Sequence, residues 1–199
     1  KIRNDAKCAA LAENKYGALK KYNRILFMTL GTGIGGAVII NGNLLETGEY
    51  PGCEFGHMVI KENGLKCNCG RKGCFEKYGS MRVFKDNLRN ELWLEDKTSG
   101  KELMAILKDT TKESKDYAKI EKVRKQYIRD LSVGIANLVN IFEPEAIGIG
   151  GSFVYFSEVL LQDVKKTILK EDMLFNPRKE INIQTAVLGN EAGIIGATL

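Results

Sequence analysis

Apolar residues follow two different spacings along this chain, and each spacing predicts a different secondary structure. Continuous apolar runs at 25–30 and 37–40 are typical of buried strands, and the Asn41-Gly42 pair that follows favours a tight turn. Apolar residues three or four positions apart predict helices near 80–94, 101–109 and 115–142. The remaining predicted elements are a helix from Ala6, a strand at 146–149, a helix after Ser152 to about 169, a strand at 181–185 and a terminal helix from Asn190. Strands that alternate with helices predict an α/β fold.

Composition narrows the class of protein further. The 199 residues are 44% hydrophobic, which is typical of a globular domain, and no apolar run approaches the roughly 20 residues of a membrane span. We therefore expect no membrane association. The net charge is only +5, and the densest basic stretch, 108–129, is interleaved with acidic residues. That mixture predicts a solvated helix face and not a nucleic-acid surface.

Two glycine-rich segments are candidates for binding phosphate. Residues 31–36 match the G-x-G-x-x-G pattern, but β-branched residues follow where a dinucleotide-binding fold needs a helix. The segment is therefore either a purely structural hairpin turn or a turn whose backbone N–H groups, with the Thr32 hydroxyl, approach phosphate oxygens. The second candidate is Gly150-Gly151-Ser152, at a predicted junction between a strand and a helix, where ligands often bind.

A metal site is predicted in the long segment 47–79, which lacks regular periodicity. His57, Cys67, Cys69 and Cys74 have the spacing H-x9-C-x-C-x4-C. Four such ligands indicate a closed tetrahedral zinc site, which is more often structural than catalytic. An odd number of cysteines, five, favours reduced, metal-binding thiols over a secreted disulfide framework, and so favours a cytoplasmic protein.

Two carboxylates flank this predicted zinc site. A single glutamate is usually a solvated surface residue, but Glu54 and Glu76 are attached to a loop that the metal would make rigid. That attachment makes both of them candidate functional residues.

The motif Cys67-x-Cys69-Gly70-x-x-Gly73-Cys74-x-Glu76, preceded by Glu54-x-Gly56-His57, resembles the signature loop of the ROK family (repressor, open reading frame, kinase). The resemblance continues through Asn4-Asp5-Ala6, the turn at 30–36, Gly150-Gly151-Ser152 and the segment 189–197, so it covers essentially the whole chain.

The resemblance implies an actin-like, ribonuclease-H-like ATPase fold of two α/β lobes with the ligands in the cleft between them. Residues 1–199 correspond mainly to the C-terminal lobe with its zinc-bound loop, and the terminal helix at 190–199 is expected to pack toward the first lobe. The family's Asp-x-Gly-Gly-Thr phosphate turn belongs to that first lobe and is not found in these residues. We therefore expect the isolated segment to be inactive.

The resemblance also implies a role for each candidate residue. Asp5 corresponds to the catalytic base. The implied sugar-binding residues are Asn4, Asp5, Glu54, His57 and Glu76. The implied ATP-binding residues are Thr32, Gly33, Gly150 and Gly151. His57 would bind zinc together with Cys67, Cys69 and Cys74.

The implied function is a glucokinase-type phosphotransferase that uses ATP with Mg²⁺ to phosphorylate glucose or a related hexose and forms a dimer or tetramer. The alternative is a sugar-sensing repressor of the same family, whose DNA-binding domain would lie outside these residues. Asp5 favours the kinase, because a sensor needs to bind hydroxyls but needs no base. The identity of the sugar stays open.

Overall fold

The computed structural model describes residues 4–46, 52–170, 173–176 and 179–199, and a five-stranded mixed sheet organises them. The strands are β1 (Arg24–Leu30), β2 (Ile34–Ile40), β3 (Asn43–Leu44), β4 (Ala146–Gly150) and β5 (Ile183–Thr185). Their order is β3-β2-β1-β4-β5. The first three strands are antiparallel neighbours, whereas β4 pairs parallel to β1 and β5 parallel to β4.

Helices cover both faces of this sheet. They are α1 (Asp5–Lys15), α2 (Glu76–Gly79), α3 (Met81–Leu92), α4 (Gly100–Asp109), α5 (Tyr117–Phe142), α6 (Ser157–Lys170) and α7 (Ala192–Ala197). Short 3-10 helices occur at Phe55–His57, Gly151–Phe156 and Gly189–Glu191. Within the described ranges, no helix is both long and apolar enough to cross a membrane.

The continuous apolar run of β1 is explained by burial on both faces. Leu26, Met28 and Leu30 point into the main core, which α3, α5 and α6 also line. Ile25 and Phe27 point the other way, into a smaller core beneath α1. A strand that is covered on both sides has no solvent-facing positions, so it loses the alternation of a half-exposed strand. The predicted α/β fold is confirmed.

Three predicted boundaries were wrong. After Gly150 the chain forms the 3-10 helix Gly151–Phe156 before α6 begins, and its three-residue repeat buries Phe153 and Phe156 on the same side. The last strand begins at residue 183 and not at 181, because the Ile183 N–H donates to the carbonyl of residue 181 at 3.2 Å and bends the chain there. The terminal α-helix begins at Ala192, after a 3-10 turn.

Helix α1 is held between the sheet and α7. A Cβ added at Gly196 of α7 would overlap the Cys8 carbonyl of α1, so the two helices approach each other backbone to backbone. At the other end of α1, the fully buried Glu13 accepts the N–H groups of Ala18, Val187 and Leu188 at 2.9, 2.8 and 2.8 Å. These contacts fix where the N-terminus of α1 lies. The expected packing of α7 toward a preceding lobe stays a prediction.

The close approach of α1 and α7 predicts that alanine substitutions at two glycines of α7 have different effects on stability. Gly196→Ala is expected to lower the free energy of unfolding by about 1–3 kcal/mol, because the methyl group must push the helices apart. Gly193→Ala is the matched control, since an added Cβ there meets nothing within 4 Å, and it is expected to be neutral or stabilising. Urea unfolding of both variants checks this. Equal stabilities would contradict the observed packing.

Candidate functional site

The two glycine segments lie side by side at the carboxyl ends of β1 and β4. Strand β1 pairs parallel with β4 so that Thr29 stands opposite Gly150. The next residue, Gly151, has a φ of 73°, and a Cβ there would lie 2.7 Å from the Leu30 carbonyl oxygen. The strand order therefore brings together two segments that the sequence separates by more than a hundred residues.

The turn between β1 and β2, residues 31–33, is fixed by its own backbone and by α3. The Gly31 N–H donates to the Gly33 carbonyl at 3.0 Å, and the N–H of Arg82, in the first turn of α3, donates to the Gly31 carbonyl at 3.1 Å. The Thr32 side chain is exposed. We call residues 31–33 the glycine turn.

The N-terminus of α1 places Asn4 and Asp5 beside the first residues of β2. Asn4 is the N-cap of α1, and its Oδ1 accepts the Ala6 N–H at 2.9 Å. Asp5 Oδ1 accepts the same N–H at 2.7 Å. A Cβ added at Gly35 would lie 2.9 Å from the Ala6 methyl, so this end of α1 rests directly on β2. None of the described residues donates to Asp5 Oδ2.

The 3-10 helix Phe55–His57 packs onto the same strand. The Phe55 ring occupies the space that a side chain at Gly36 would fill, and a Cβ on Gly56 would lie 2.6 Å from the Ile34 carbonyl oxygen. These contacts fix Glu54 and His57 at the two ends of the 3-10 helix, next to the beginning of β2. Glu54 is exposed and His57 half-buried.

The four predicted metal ligands come together. The ligand atoms of His57, Cys67, Cys69 and Cys74 all lie within 4.8 Å of one another. The Cys67 sulfur is 3.7 Å from His57 Nδ1, and the sulfurs of Cys69 and Cys74 are 3.6 Å apart. A tetrahedral zinc with Zn–S bonds of about 2.3 Å places its sulfurs about 3.8 Å apart. The cluster thus has the chemistry and the dimensions of a zinc site, and Nδ1 is the nitrogen of His57 that faces it.

Short backbone bridges hold these ligands in place. Val59 pairs with Cys74 and Lys66 with Lys72, each as an isolated antiparallel bridge. The Cys67 N–H donates to the carbonyl of residue 71 at 2.8 Å, closing the turn around Cys69. The loop is therefore pre-shaped around the cluster.

The two thiols of the 3.6 Å pair differ in acidity. Hydrogen bonds from the Arg71 backbone and guanidinium lower the pKa of the exposed Cys69 to about 6, whereas burial raises the pKa of Cys74 to about 11. A bound cation would favour the thiolate of Cys74, because metal binding requires loss of that proton.

Glu76 joins this loop to the glycine turn, which sequence reasoning did not foresee. It lies two residues after Cys74 and begins α2. Its Oε2 accepts the N–H of Ile34, the residue that follows the turn, at 3.1 Å. Glu76 and the glycine segment 31–36 were both candidates in the sequence, but the number of residues between them does not indicate that they touch.

Sequence reasoning also missed a largely apolar cavity of about 580 Å³ next to Ser152. Tyr155, Phe156 and Met104 supply apolar lining, and Lys85 and Lys101 supply charge. The cavity opens beside the carboxyl end of β4, close to Gly150 and Gly151. The signal present in the sequence was the group of aromatic residues Phe153, Tyr155 and Phe156 directly after Gly150-Gly151-Ser152.

The candidate site therefore consists of polar side chains from α1, the 3-10 helix Phe55–His57 and α2 around the beginning of β2, together with the glycine turn. The apolar cavity lies next to Ser152. Asn4, Asp5, Glu54, His57 and Glu76 all lie on segments packed against β2 or the glycine turn.

Known proteins resemble this chain in sequence and in fold. The chain is similar to a glucokinase of Streptomyces coelicolor, at 31% identity over 98% of this chain and 65% of the relative. It is also similar to a xylose repressor of Bacillus spizizenii, at 30% identity over 84% of this chain and 41% of the relative. Among solved structures it resembles a ROK glucokinase of Streptomyces griseus in complex with glucose and AMPPNP, with a TM-score of 0.79 and 28% identity over 98% of this chain and 66% of that one.

The chain thus spans about 65% of the length of the glucokinase and a smaller part of the repressor. Its mixed sheet is consistent with the actin-like ATPase fold that the resemblance implied. The family model for ROK proteins matches residues 1–199, from the first residue to the last. This chain therefore belongs to the ROK family.

Proposed function

We propose that the whole protein transfers the γ-phosphoryl group of MgATP to a hydroxyl of a hexose. The observation that carries this proposal is the position of Asp5 at the end of α1 that rests on β2 at Gly35, with no described residue donating to its Oδ2. Similarity to glucokinases supports the same reaction. Because these residues cover only part of such relatives, other segments of the whole protein would complete the site.

The hexose would bind where Asn4, Asp5, Glu54, His57 and Glu76 surround the start of β2. Carboxylates accept hydrogen bonds from vicinal hydroxyls. The Asn4 amide nitrogen, which donates to none of the described residues, can donate to a hydroxyl while Oδ1 caps the helix. With Nδ1 facing the cysteines, Nε2 of His57 is on the opposite edge of the ring and can contact a hydroxyl. Each buried hydrogen bond lost typically costs about 1–3 kcal/mol, which is enough to discriminate between epimers.

The nucleotide would lie across the carboxyl ends of β1 and β4. Backbone N–H groups at Thr32 and Gly33 would approach phosphate oxygens, and Gly150 and Gly151 would line the path to the adenosine. The apolar cavity beside Ser152 has room for a purine ring, and its lysines suit a polyanionic ligand.

The reaction would then proceed in line. The hexose hydroxyl oxygen attacks the γ-phosphorus, the bond to the β-phosphate bridging oxygen breaks, ADP leaves, and Asp5 accepts the hydroxyl proton. Positioning and electrostatic stabilisation supply most of the acceleration in such transfers.

His57, Cys67, Cys69 and Cys74 would hold a structural Zn²⁺. Four protein ligands leave no open coordination position, so a bound zinc would cross-link the loop and would not activate a water molecule. A bound zinc would affect the reaction only indirectly, because it would fix the positions of Glu54 and Glu76 at the two ends of the loop.

The repressor alternative has its own support in the similarity to a xylose repressor. Both functions need the hydroxyl-binding residues. Only the kinase needs Asp5 as a base.

The central prediction concerns Asp5. Asp5→Asn in the whole protein is expected to reduce kcat for hexose phosphorylation by about 100-fold or more, because an amide cannot accept the proton. The dissociation constant for the hexose should change little. A coupled ADP-release assay and calorimetric hexose titration check the two quantities, with the exposed Asp96→Asn as control. Undiminished turnover in Asp5→Asn would contradict the assignment.

A second prediction concerns the metal. The purified protein is expected to contain a single zinc per chain, and Cys69→Ser should lose most of it, because a neutral hydroxyl is a poor zinc ligand. Cys8→Ser removes a thiol of α1 outside the cluster and should retain the metal. Elemental analysis of gel-filtered protein measures both. Full zinc content in Cys69→Ser would exclude this ligand set.

A further inference from the structure

Glu76 contacts both the proposed phosphate-binding and the proposed hexose-binding parts of the site. Its Oε2 accepts the Ile34 N–H at 3.1 Å. A Cβ at Gly33 would overlap this same oxygen, so the carboxylate lies directly against the glycine turn. On its other side, a Cβ at Gly56 would be 3.4 Å from the Glu76 Cβ. One side chain thus fills the gap between the glycine turn and the 3-10 helix that carries His57.

The charge of this carboxylate has no cationic partner among the described lysines and arginines. Glu76 is half-buried, so solvent and salt screen its charge only partly. A phosphate bound to the N–H groups of the glycine turn would therefore be repelled by a negative charge immediately behind the turn.

We propose that Glu76 makes nucleotide binding depend on hexose binding, an inference that rests on the proposed function. With the hexose site empty, the charge of Glu76 weakens the binding of nucleotide phosphates. A hexose hydroxyl that donates a hydrogen bond to Oε1 stabilises the carboxylate. It also reduces the repulsion that the carboxylate exerts on an anion at the glycine turn. Nucleotide then binds more tightly, and by thermodynamic reciprocity it tightens hexose binding by the same factor. Such coupling would limit wasteful transfer of phosphate to water.

Glu76→Gln tests the charge, because the amide oxygen can still accept the Ile34 N–H. The measurement is calorimetric titration of the whole protein with Mg²⁺–AMPPNP, with and without saturating glucose or whichever hexose it phosphorylates. In the wild-type protein the hexose is expected to tighten AMPPNP binding at least about fivefold. In Glu76→Gln the hexose-free protein should already bind AMPPNP at least about fivefold more tightly than wild type, and hexose should add little. Glu62→Gln, which removes an exposed charge from the same loop, should behave as wild type.

A gain of nucleotide affinity is not expected from a residue that only supports the fold. Unchanged AMPPNP affinity in hexose-free Glu76→Gln, in a protein that still phosphorylates hexose, would overturn the coupling alone. Absence of hexose binding to the wild-type protein would overturn the proposed function as well.

Gly33→Ala provides a second test should Glu76→Gln fail to fold. Its methyl group would displace the carboxylate from the glycine turn, so hexose affinity measured without nucleotide should fall at least about fivefold. Gly31→Ala is the matched control in the same turn, because an added Cβ there meets nothing within 4 Å, and it should leave hexose affinity unchanged. Equal hexose affinity in the two variants would contradict the role of Glu76.

Discussion

Strand β1 is the element on which the candidate site depends. It pairs antiparallel with β2 and parallel with β4, so the glycine turn at its carboxyl end lies beside Gly150 and Gly151. Both faces of β1 are buried, and a shift of one residue in its register would exchange the two sets of core side chains. The position of the glycine turn is therefore fixed by the core, although the turn itself contributes almost no side-chain packing.

The polar part of the site is held to this strand pair by close backbone contacts. The N-terminus of α1 and the 3-10 helix Phe55–His57 both approach β2 at glycines, where side chains would prevent contact. Glu76 adds a polar link from α2 to the residue after the glycine turn. The cluster of His57 with three cysteines closes the loop between the 3-10 helix Phe55–His57 and α2. Rigid spacing of this kind is what in-line transfer between two bound substrates requires.

Much of this organisation was predictable from sequence because its signals are local. The run at 25–30, the three central helices and the cluster of His57 with three cysteines each follow from spacing within one segment. The link from Glu76 to Ile34 joins residues 42 positions apart, and no local pattern encodes it. The cavity beside Ser152 depends on how α4 packs against the 3-10 helix Gly151–Phe156. That 3-10 helix was itself predicted as α-helix, because both forms place apolar residues three positions apart.

The central claim is that a hexose binds around the beginning of β2 with one hydroxyl at Asp5. A crystal structure of the whole protein with a hexose and Mg²⁺–AMPPNP tests it most directly. We expect one hydroxyl within hydrogen-bond distance of Asp5 Oδ2 and in line with the γ-phosphate, and the other hydroxyls in contact with Glu54, His57 and Glu76. A hexose bound elsewhere, or one whose hydroxyl at Asp5 points away from the γ-phosphate, would contradict the account.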